Sequence, residues 1–288
     1  INSDYMGFIT SKNFNFKKIQ FENFLKLIFN SIEKFDVLYL KNQLPQINSY
    51  ENPFYSHFKT IYKKKAYSSD LNENWEQFYK LHQNSKSRET TRRKLKKIKV
   101  HGKLNFNIAD TDVYKIKIIK DMIKLKKNRY INTKAWNMFS KKEFENFYIG
   151  LSKIKSESIR VHCSELKIND QVISNHVGIS TKKCFYYLMP AFDDSKWNKF
   201  SPGLINLIEI IKWCIDEGIN FFDFTTGDEK YKAHWFDNKF EIRDNIQYFT
   251  FKGFFYEKFF TLKMILKKNL FFEYLKKIFN YVNNLNKK

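Results

Sequence analysis

Glycine and proline are scarce in this chain, at 8 and 4 of 288 residues. That scarcity excludes collagen-like repeats, Pro-rich spacers and Gly/Ser linkers. Cysteine is scarcer still. Cys163, Cys184 and Cys214 lie far apart, with no CxxC pair. Such spacing fits neither a zinc site nor a disulfide framework, and the apolar neighbours of all three predict buried thiols in a reducing compartment. No run of about 18 apolar residues occurs, so no transmembrane helix is expected. The opening INSDYMGF lacks a basic stretch followed by an apolar one, and it lacks an initiator Met. This reads as a trimmed start without a signal peptide. No repeat of 20 to 50 residues is visible.

Acidic residues are the other shortage. Asp and Glu number 30 against 52 Lys and Arg, a net charge of +22. Hydrophobic residues make up 43% of the chain, which excludes a disordered basic tail and supports a folded core. An A/T-rich coding sequence would raise Lys, Asn, Ile and Phe everywhere, but it would not cluster the charge. The charge is clustered. Residues 86–103 hold nine basic side chains and one acid, and residues 252–288 hold nine lysines and two acids. Together these segments carry +15 of the +22. An anionic partner is implied: nucleic acid, anionic lipid or a phosphorylated substrate. Nucleic acid ranks last, because no helix-turn-helix, zinc-finger or RNP pattern accompanies the charge.

Periodicity predicts helices over 14–35, 72–81, 116–125 and 141–154, and a short buried strand at 36–40. The basic run opens after Ser85 and Ser87, both possible caps. A tail helix over 254–284 sets Phe255, Phe259, Leu262, Leu266, Phe271, Leu275, Ile278 and Val282 at spacings of three to five, with lysines mostly between them. It is either a terminal helix with a solvated basic face or a helix lying on an anionic membrane.

The second half changes character. Residues 158–168, 172–179 and 184–189 alternate as three strands joined by short polar turns, an antiparallel meander. Ser201-Pro202-Gly203 then starts a helix that ends at Gly218, and FFDF (221–224) is a strand beyond it. This is a βαβ-type unit on the end of the meander. The helix start at Ser201, Gly203 and Leu204 is a potential anion site, since N-terminal N–H groups point outward. His176 lies mid-strand, a core histidine or a base. Asp223 is a carboxylate within an apolar strand, which is costly unless paired or functional. Thr225 to Trp235 follows directly, with acids, lysines and aromatics beyond a strand end.

Several pieces in order resemble a known family: SRETTRRKLKK (87–97), NHVG (175–178), YYLMPAFD (186–193), SPGL (201–204) and FDFTTGDEKYKAHW (222–235). They look like the acetyltransferase domain of cellulose-biosynthesis-associated (CelD/BcsL-like) proteins of the GNAT superfamily, distantly related to FemAB-type aminoacyl transferases. The resemblance covers about residues 86–235. It implies an α+β (α/β) GNAT-like fold, a mixed, mostly antiparallel sheet flanked by helices, with tandem halves and a C-terminal helix. The implied division is a degenerate N-terminal half (1–85), an acyltransferase domain (86–250) and a basic amphipathic tail (251–288).

The implied activity is acyl transfer from acetyl-CoA or another acyl-CoA, without a metal. The acceptor would be an amine or hydroxyl on an amino sugar, polysaccharide or lipid precursor. FemAB-type aminoacyl transfer and a non-catalytic binding protein at the membrane are the alternatives. The expected setting is the cytoplasm, peripheral to the inner face of the membrane. On this reading His176 is a base facing the cleft, and Asp223 or Glu229 orients it or binds the acceptor. Tyr187 or Tyr231 protonates the leaving thiolate, and backbone N–H groups near 187–189 form the oxyanion hole. Ser201, Gly203 and Leu204 hold the pyrophosphate, and Asp193, Lys232 and Trp235 contact substrate. One departure matters: the Gly-rich phosphate loop of typical GNAT enzymes is replaced by SPGL, and Pro202 has no N–H to donate.

Overall fold

The computed structural model describes residues 4–7, 18–47, 50–227 and 229–268. In chain order the elements begin with α1 (Lys18–Ser31), β1 (Val37–Gln43), β2 (Gln46–Ile47), β3 (Tyr50–Glu51), α2 (Pro53–Ser56) and β4 (Lys59–Asp70). Next come α3 (Trp75–His82), α4 (Ser85–Lys99), β5 (Leu104–Ile108), α5 (Asp112–Thr133) and α6 (Lys142–Leu151). The rest are β6 (Arg160–Ile168), β7 (Gln171–Ser180), β8 (Cys184–Phe192), α7 (Pro202–Asp216), β9 (Phe221–Thr226), β10 (Asn238–Tyr248) and α8 (Phe251–Lys268). The fold is mixed α/β, its strands mostly antiparallel and flanked by helices.

The chain forms two compact units. The first joins residues 1–65 to residues 240–288, and the second is residues 66–239. These limits differ from the breaks at 85 and 250 expected from the sequence. The reason is strand pairing: β1 pairs antiparallel with β10 from Val37↔Tyr248 to Gln43↔Arg243, which ties the C-terminal segment to the N-terminal one.

In the first unit Phe21 and Leu25 of α1 pack with Phe58, flanked by Leu38, Leu40 and Phe54. α8 packs on the same unit through Phe260, whose ring meets Tyr39 at 5.2 Å. Gly253 lets the helix approach the chain closely, since a methyl there would overlap the Asp36 carbonyl. The expected tail helix is present to Lys268; its continuation to 284 lies outside the described residues.

In the second unit the strand order is β4-β9-β8-β7-β6-β5, using the last residues of β4. The meander expected from the sequence is β6, β7 and β8. α7 then crosses over, and β9 returns parallel to β8. Alternation sorts the side chains. Phe185, Tyr187, Phe222 and Phe224 pack against Leu207, Ile208 and Ile211 of α7. Val161, Cys163, Val177 and Ala191 pack on the other face against Ile118, Met122 and Ile123 of α5. Cys163 and Cys214 are buried free thiols, and Cys184 is partly exposed.

Two features set the path of β8. Its pairing with β7 shifts between Val177↔Met189 and Ile179↔Tyr186, so two residues of β8 face Gly178. That is a β-bulge, which re-aims the strand. Gly178 sits against it: a methyl there would come 2.7 Å from the Tyr186 carbonyl and 2.6 Å from the His176 ring. Gly178→Ala is expected to destabilise the protein by roughly 1–3 kcal/mol, as overpacking in a close-packed core does. Urea unfolding measures this; an unchanged midpoint would show that the bulge has room.

Candidate functional site

The parallel ladder between β8 and β9 runs from Cys184↔Phe221 to Tyr186↔Asp223 and stops there. Both strands continue, β8 to Phe192 and β9 to Thr226. Beyond Tyr186 and Asp223 their facing edges are therefore unpaired with one another, and a wedge opens between them. Buried backbone groups seek partners, so such a wedge suits an extended ligand that supplies them. Met189, near which the oxyanion donors are expected, lies on this part of β8. Thr225 (φ 59°) and Gly227 (φ 123°) mark the β9 side with left-handed backbone. Thr225 is held there by its N–H, which donates to Asp223 Oδ1 at 2.6 Å. Strain at a non-glycine residue clusters at functional sites.

α7 begins at the same end of the sheet. Ser201 is its N-cap in left-handed conformation (φ 56°), and its hydroxyl makes no cap bond. The N–H groups of Leu204 and Ile205 both donate to the Ser201 carbonyl, at 3.0 and 3.2 Å. Pro202 has no N–H, and Phe192 closes against Gly203, where a methyl would meet its ring at 2.9 Å. Few backbone donors are left for a phosphate. A side chain brings charge there instead: Lys94 of the basic helix α4 donates to Ser201 Oγ at 2.7 Å.

The structure relocates several expected site residues. His176 is fully buried, not on an open cleft wall. Its ring stacks on Tyr187 at 4.3 Å between centroids, and neither ring nitrogen has a hydrogen-bond partner. Burial, then the charges of His162 and Lys126, hold its pKa well below the ordinary value, so the imidazole is neutral. Asp223 does not orient it. His176 packs with Tyr187 on the α7 face, whereas Asp223 lies between Phe222 and Phe224 and so faces the opposite side. Trp235 is a core residue, 2% exposed, stacked near Tyr79 and Phe78, and offers no surface to a substrate. The Lys232 ammonium is already engaged, donating to the Thr226 carbonyl at 3.0 Å and pairing with Glu229 at 2.8 Å. It staples the loop after β9 and does not stand as a free contact for substrate.

The other expected residues lie along β8, just beyond it and in the loop after β9. Tyr187 lies buried on β8, and burial together with Tyr231 and Glu229 keeps its phenol protonated. Tyr231 is 37% exposed; burial of its phenol and the Glu229 carboxylate raise its pKa too. Asp193 follows β8 and lines a cleft of about 640 Å³ with Asp121, Asn128, Asn132, Gln171 and Asp194. Asp193 Oδ1 accepts from the Ser195 N–H and hydroxyl, and Asn132 donates to Asp194.

Sequence reasoning missed α5 as a wall of the site. Arg129 lies over the Phe192 ring at 4.5 Å. Lys126, one turn earlier, is partly buried, and its pKa is pushed down to about 8 by burial and the Arg129 charge, against the pull of Glu229. Its signal in KLKKNR (124–129) is masked by the lysines around it. Glu165 was missed as well. It is fully buried on the α5 face and accepts from Tyr114 at 2.6 Å, with Lys167 at 2.6 Å and Lys117 at 3.3 Å. Beside it the Asn175 amide is buried without a hydrogen-bond partner. Among the described residues no cluster of His, Cys, Asp and Glu could hold a metal ion.

Residues 85–233 match the sequence pattern of an acetyltransferase (GNAT) domain. No curated protein matches the chain in sequence. Among solved structures, FemX superposes with a TM-score of 0.57 at 12% identity, over 82% of this chain and 78% of that one. The C-terminal domain of an Agrobacterium fabrum protein named as a lysylphosphatidylglycerol synthetase gives a TM-score of 0.52 at 11% identity, over 83% and 76% of the two chains. At these identities the likeness is one of fold.

Burial disfavours the Glu165 carboxylate, but hydrogen bonds from Lys167 and Tyr114 and the Lys117 charge outweigh it, so its pKa is lowered. A carboxylate with a lowered folded pKa stabilises above its unfolded value, about 4.3, and loses that contribution as pH falls through the folded value. Glu165→Gln should therefore flatten the acid side of the stability profile and cost about 1.5–3 kcal/mol near neutrality. Thermal unfolding across pH tests this; parallel profiles for the two proteins would reject it.

Proposed function

The chain belongs to the acetyltransferase (GNAT) domain family, and from that premise we propose that it transfers an acyl group from a CoA thioester to an amine or hydroxyl acceptor in the wedge between β8 and β9. The observation that carries this reading is the end of the β8–β9 ladder at Tyr186↔Asp223, toward the end of the sheet where α7 begins. The unpaired β8 edge would receive the extended arm of the donor. Its N–H groups near Met189 would meet the oxyanion, where preorganised donors give the largest electrostatic gain.

The nucleophile must lose a proton as it attacks. We assign that proton to Lys126 and not to His176. Lys126 titrates near 8 and lies on the α5 wall, so a useful fraction is neutral at physiological pH. His176 is neutral as well, but its burial and depressed pKa make it a weak and inaccessible base. It supports Tyr187 from behind. The new bond forms between the acceptor atom and the acyl carbon, the C–S bond breaks, and the thiolate takes a proton from Tyr231. That phenol stays protonated and is partly exposed, whereas Tyr187 is closed in.

For the acceptor, the cleft beside Phe192 supports a hydroxylated molecule. Its wall of Asp193, Asp194, Asn128, Asn132 and Gln171 matches the hydrogen bonds of an amino sugar or glycan precursor. A second donor class is favoured by one observation. The first turn of α7 is poor in N–H donors, while α4 brings Lys94 beside it. That balance suits an aminoacyl ester carried on RNA better than it suits a pyrophosphate cradled by backbone.

The deciding measurement is thiol release with acetyl-CoA and longer acyl-CoA donors over amino-sugar acceptors, run beside transfer from aminoacyl-tRNA. Release from a CoA donor supports the first reading, and transfer from tRNA alone replaces it. With the working donor, kcat is expected to rise with pH through about 8, and Lys126→Met to lower it by roughly 10²–10⁴-fold. A profile flat across that range, or full activity in Lys126→Met, would remove Lys126 from the mechanism.

A further inference from the structure

α8 exposes the wrong residues for a helix that faces only water. Phe251, Phe255, Phe259, Leu262 and Ile265 are each 55–78% exposed. At 3.6 residues per turn they fall on one arc of about 120°. The opposite face holds Gly253, Glu257 and Phe260, and this is the face that meets the protein. The helix is thus anchored by a small, specific contact and presents its apolar stripe outward. Large exposed apolar patches mark interaction surfaces.

The charges identify the occupant. Lys252 and Lys263 line one edge of the arc, and Lys258 sits within it. The one acid of the helix, Glu257, is turned inward, 1% exposed, and pairs with Lys59. The outward surface of α8 therefore carries aromatic and aliphatic side chains and positive charge, with no acid of its own; among the described residues the one carboxylate paired with its lysines is Asp36, 3.6 Å from Lys252 at the edge of the arc. A second copy would set these lysines against one another. Nucleic acid would answer the lysines but leave the phenylalanines in water. A bilayer with anionic headgroups answers both, since rings and leucine enter the acyl boundary and ammonium groups stay at phosphate level. No helix among the described residues is long and apolar enough to cross a membrane, so contact along the surface is the geometry available to α8.

We propose that α8 lies flat on an anionic lipid surface, with Phe255, Phe259 and Leu262 inserted and Lys252, Lys258 and Lys263 at the headgroups. The proposal is independent of the transfer chemistry. The test uses the full chain with phosphatidylcholine vesicles, with and without phosphatidylglycerol, read by co-sedimentation. Binding to the phosphatidylglycerol vesicles is expected to exceed binding to phosphatidylcholine alone by about tenfold or more. Phe255→Ser/Phe259→Ser/Leu262→Ser should weaken it by about tenfold or more, with an unchanged circular dichroism spectrum because all three side chains are exposed. In Leu262→Trp, the indole emission should shift to the blue on adding those vesicles.

Equal binding by the triple-serine variant would overturn the proposal, because the lysines beyond 268 or another surface would then hold the lipid. Failure of the wild-type chain to sediment with either vesicle would overturn it too. So would a dimer that the triple-serine substitution abolishes while vesicle binding is absent, which would assign the face to a second copy.

Discussion

The candidate site depends on where one hydrogen-bond ladder ends. β8 and β9 are parallel for three residue pairs and then separate. Two constraints hold them apart. On one side the β8 bulge opposite Gly178 adds a residue and turns the strand, and only glycine fits between the His176 ring and the Tyr186 carbonyl. On the other, Asp223 accepts the Thr225 N–H and fixes a left-handed residue at the end of β9. A strand whose own amide is bonded to the side chain two residues back cannot offer that amide to its neighbour. The opening is thus built from local geometry on both strands, and it precedes any ligand.

The second unit also carries an unusual load of buried polar groups around that opening. His162, Ser164, His176 and Asn175 are enclosed without hydrogen-bond partners, whereas Glu165 beside them is fully provided for. Desolvation explains the protonation states: His162 is driven down to about 3 by burial and the Arg160 charge, and His176 likewise falls well below its ordinary value. Neutral imidazoles can stack on aromatic rings without a counter-charge, as His176 does on Tyr187 and His162 does near Trp213 at 4.4 Å. The two histidines are therefore packing groups with unused polar capacity. Lys126 of α5, pushed down to about 8 by burial and the Arg129 charge, is a different case.

Much of the architecture was legible in the sequence because its periodicities are strong. The meander of β6 to β8, the Ser-Pro-Gly start of α7, its end near Gly218 and the strand at 221–224 all arise from alternation and capping. Five strands escaped, two of them (β2 and β3) only two residues long. β4 reads KTIYKKKAYSSD, where lysines occupy both faces and erase the alternation. β5 has five residues, and β10 mixes charges with its apolar positions. In the site, sequence reasoning identified the right segments and mistook some roles. A histidine before a glycine looks like a base until the sheet shows both facing a filled core. Lys232 and Trp235 look available in the string AHW preceded by lysine, and folding commits one to a loop staple and the other to the core. Lys126 was hidden because a lysine among lysines carries no pattern; only burial distinguishes it.

The charge asymmetry resolves into two different physical objects. In α4, which belongs to the second unit, lysine and arginine crowd a helix whose Thr91 and Ile98 are buried. One of its cations, Lys94, is drawn to the cap of α7. There the charge compensates for backbone donors that Pro202 removes. In α8, which belongs to the first unit, lysines accompany an outward apolar face instead. The same residue type serves opposite purposes because of what lies beside it. Next to a helix N-terminus an ammonium group adds to an existing positive dipole, a combination that favours an anion. Beside exposed phenylalanine it suits the proposed boundary between oil and anionic headgroups. Net charge alone could not separate these cases; burial of the neighbouring side chains does.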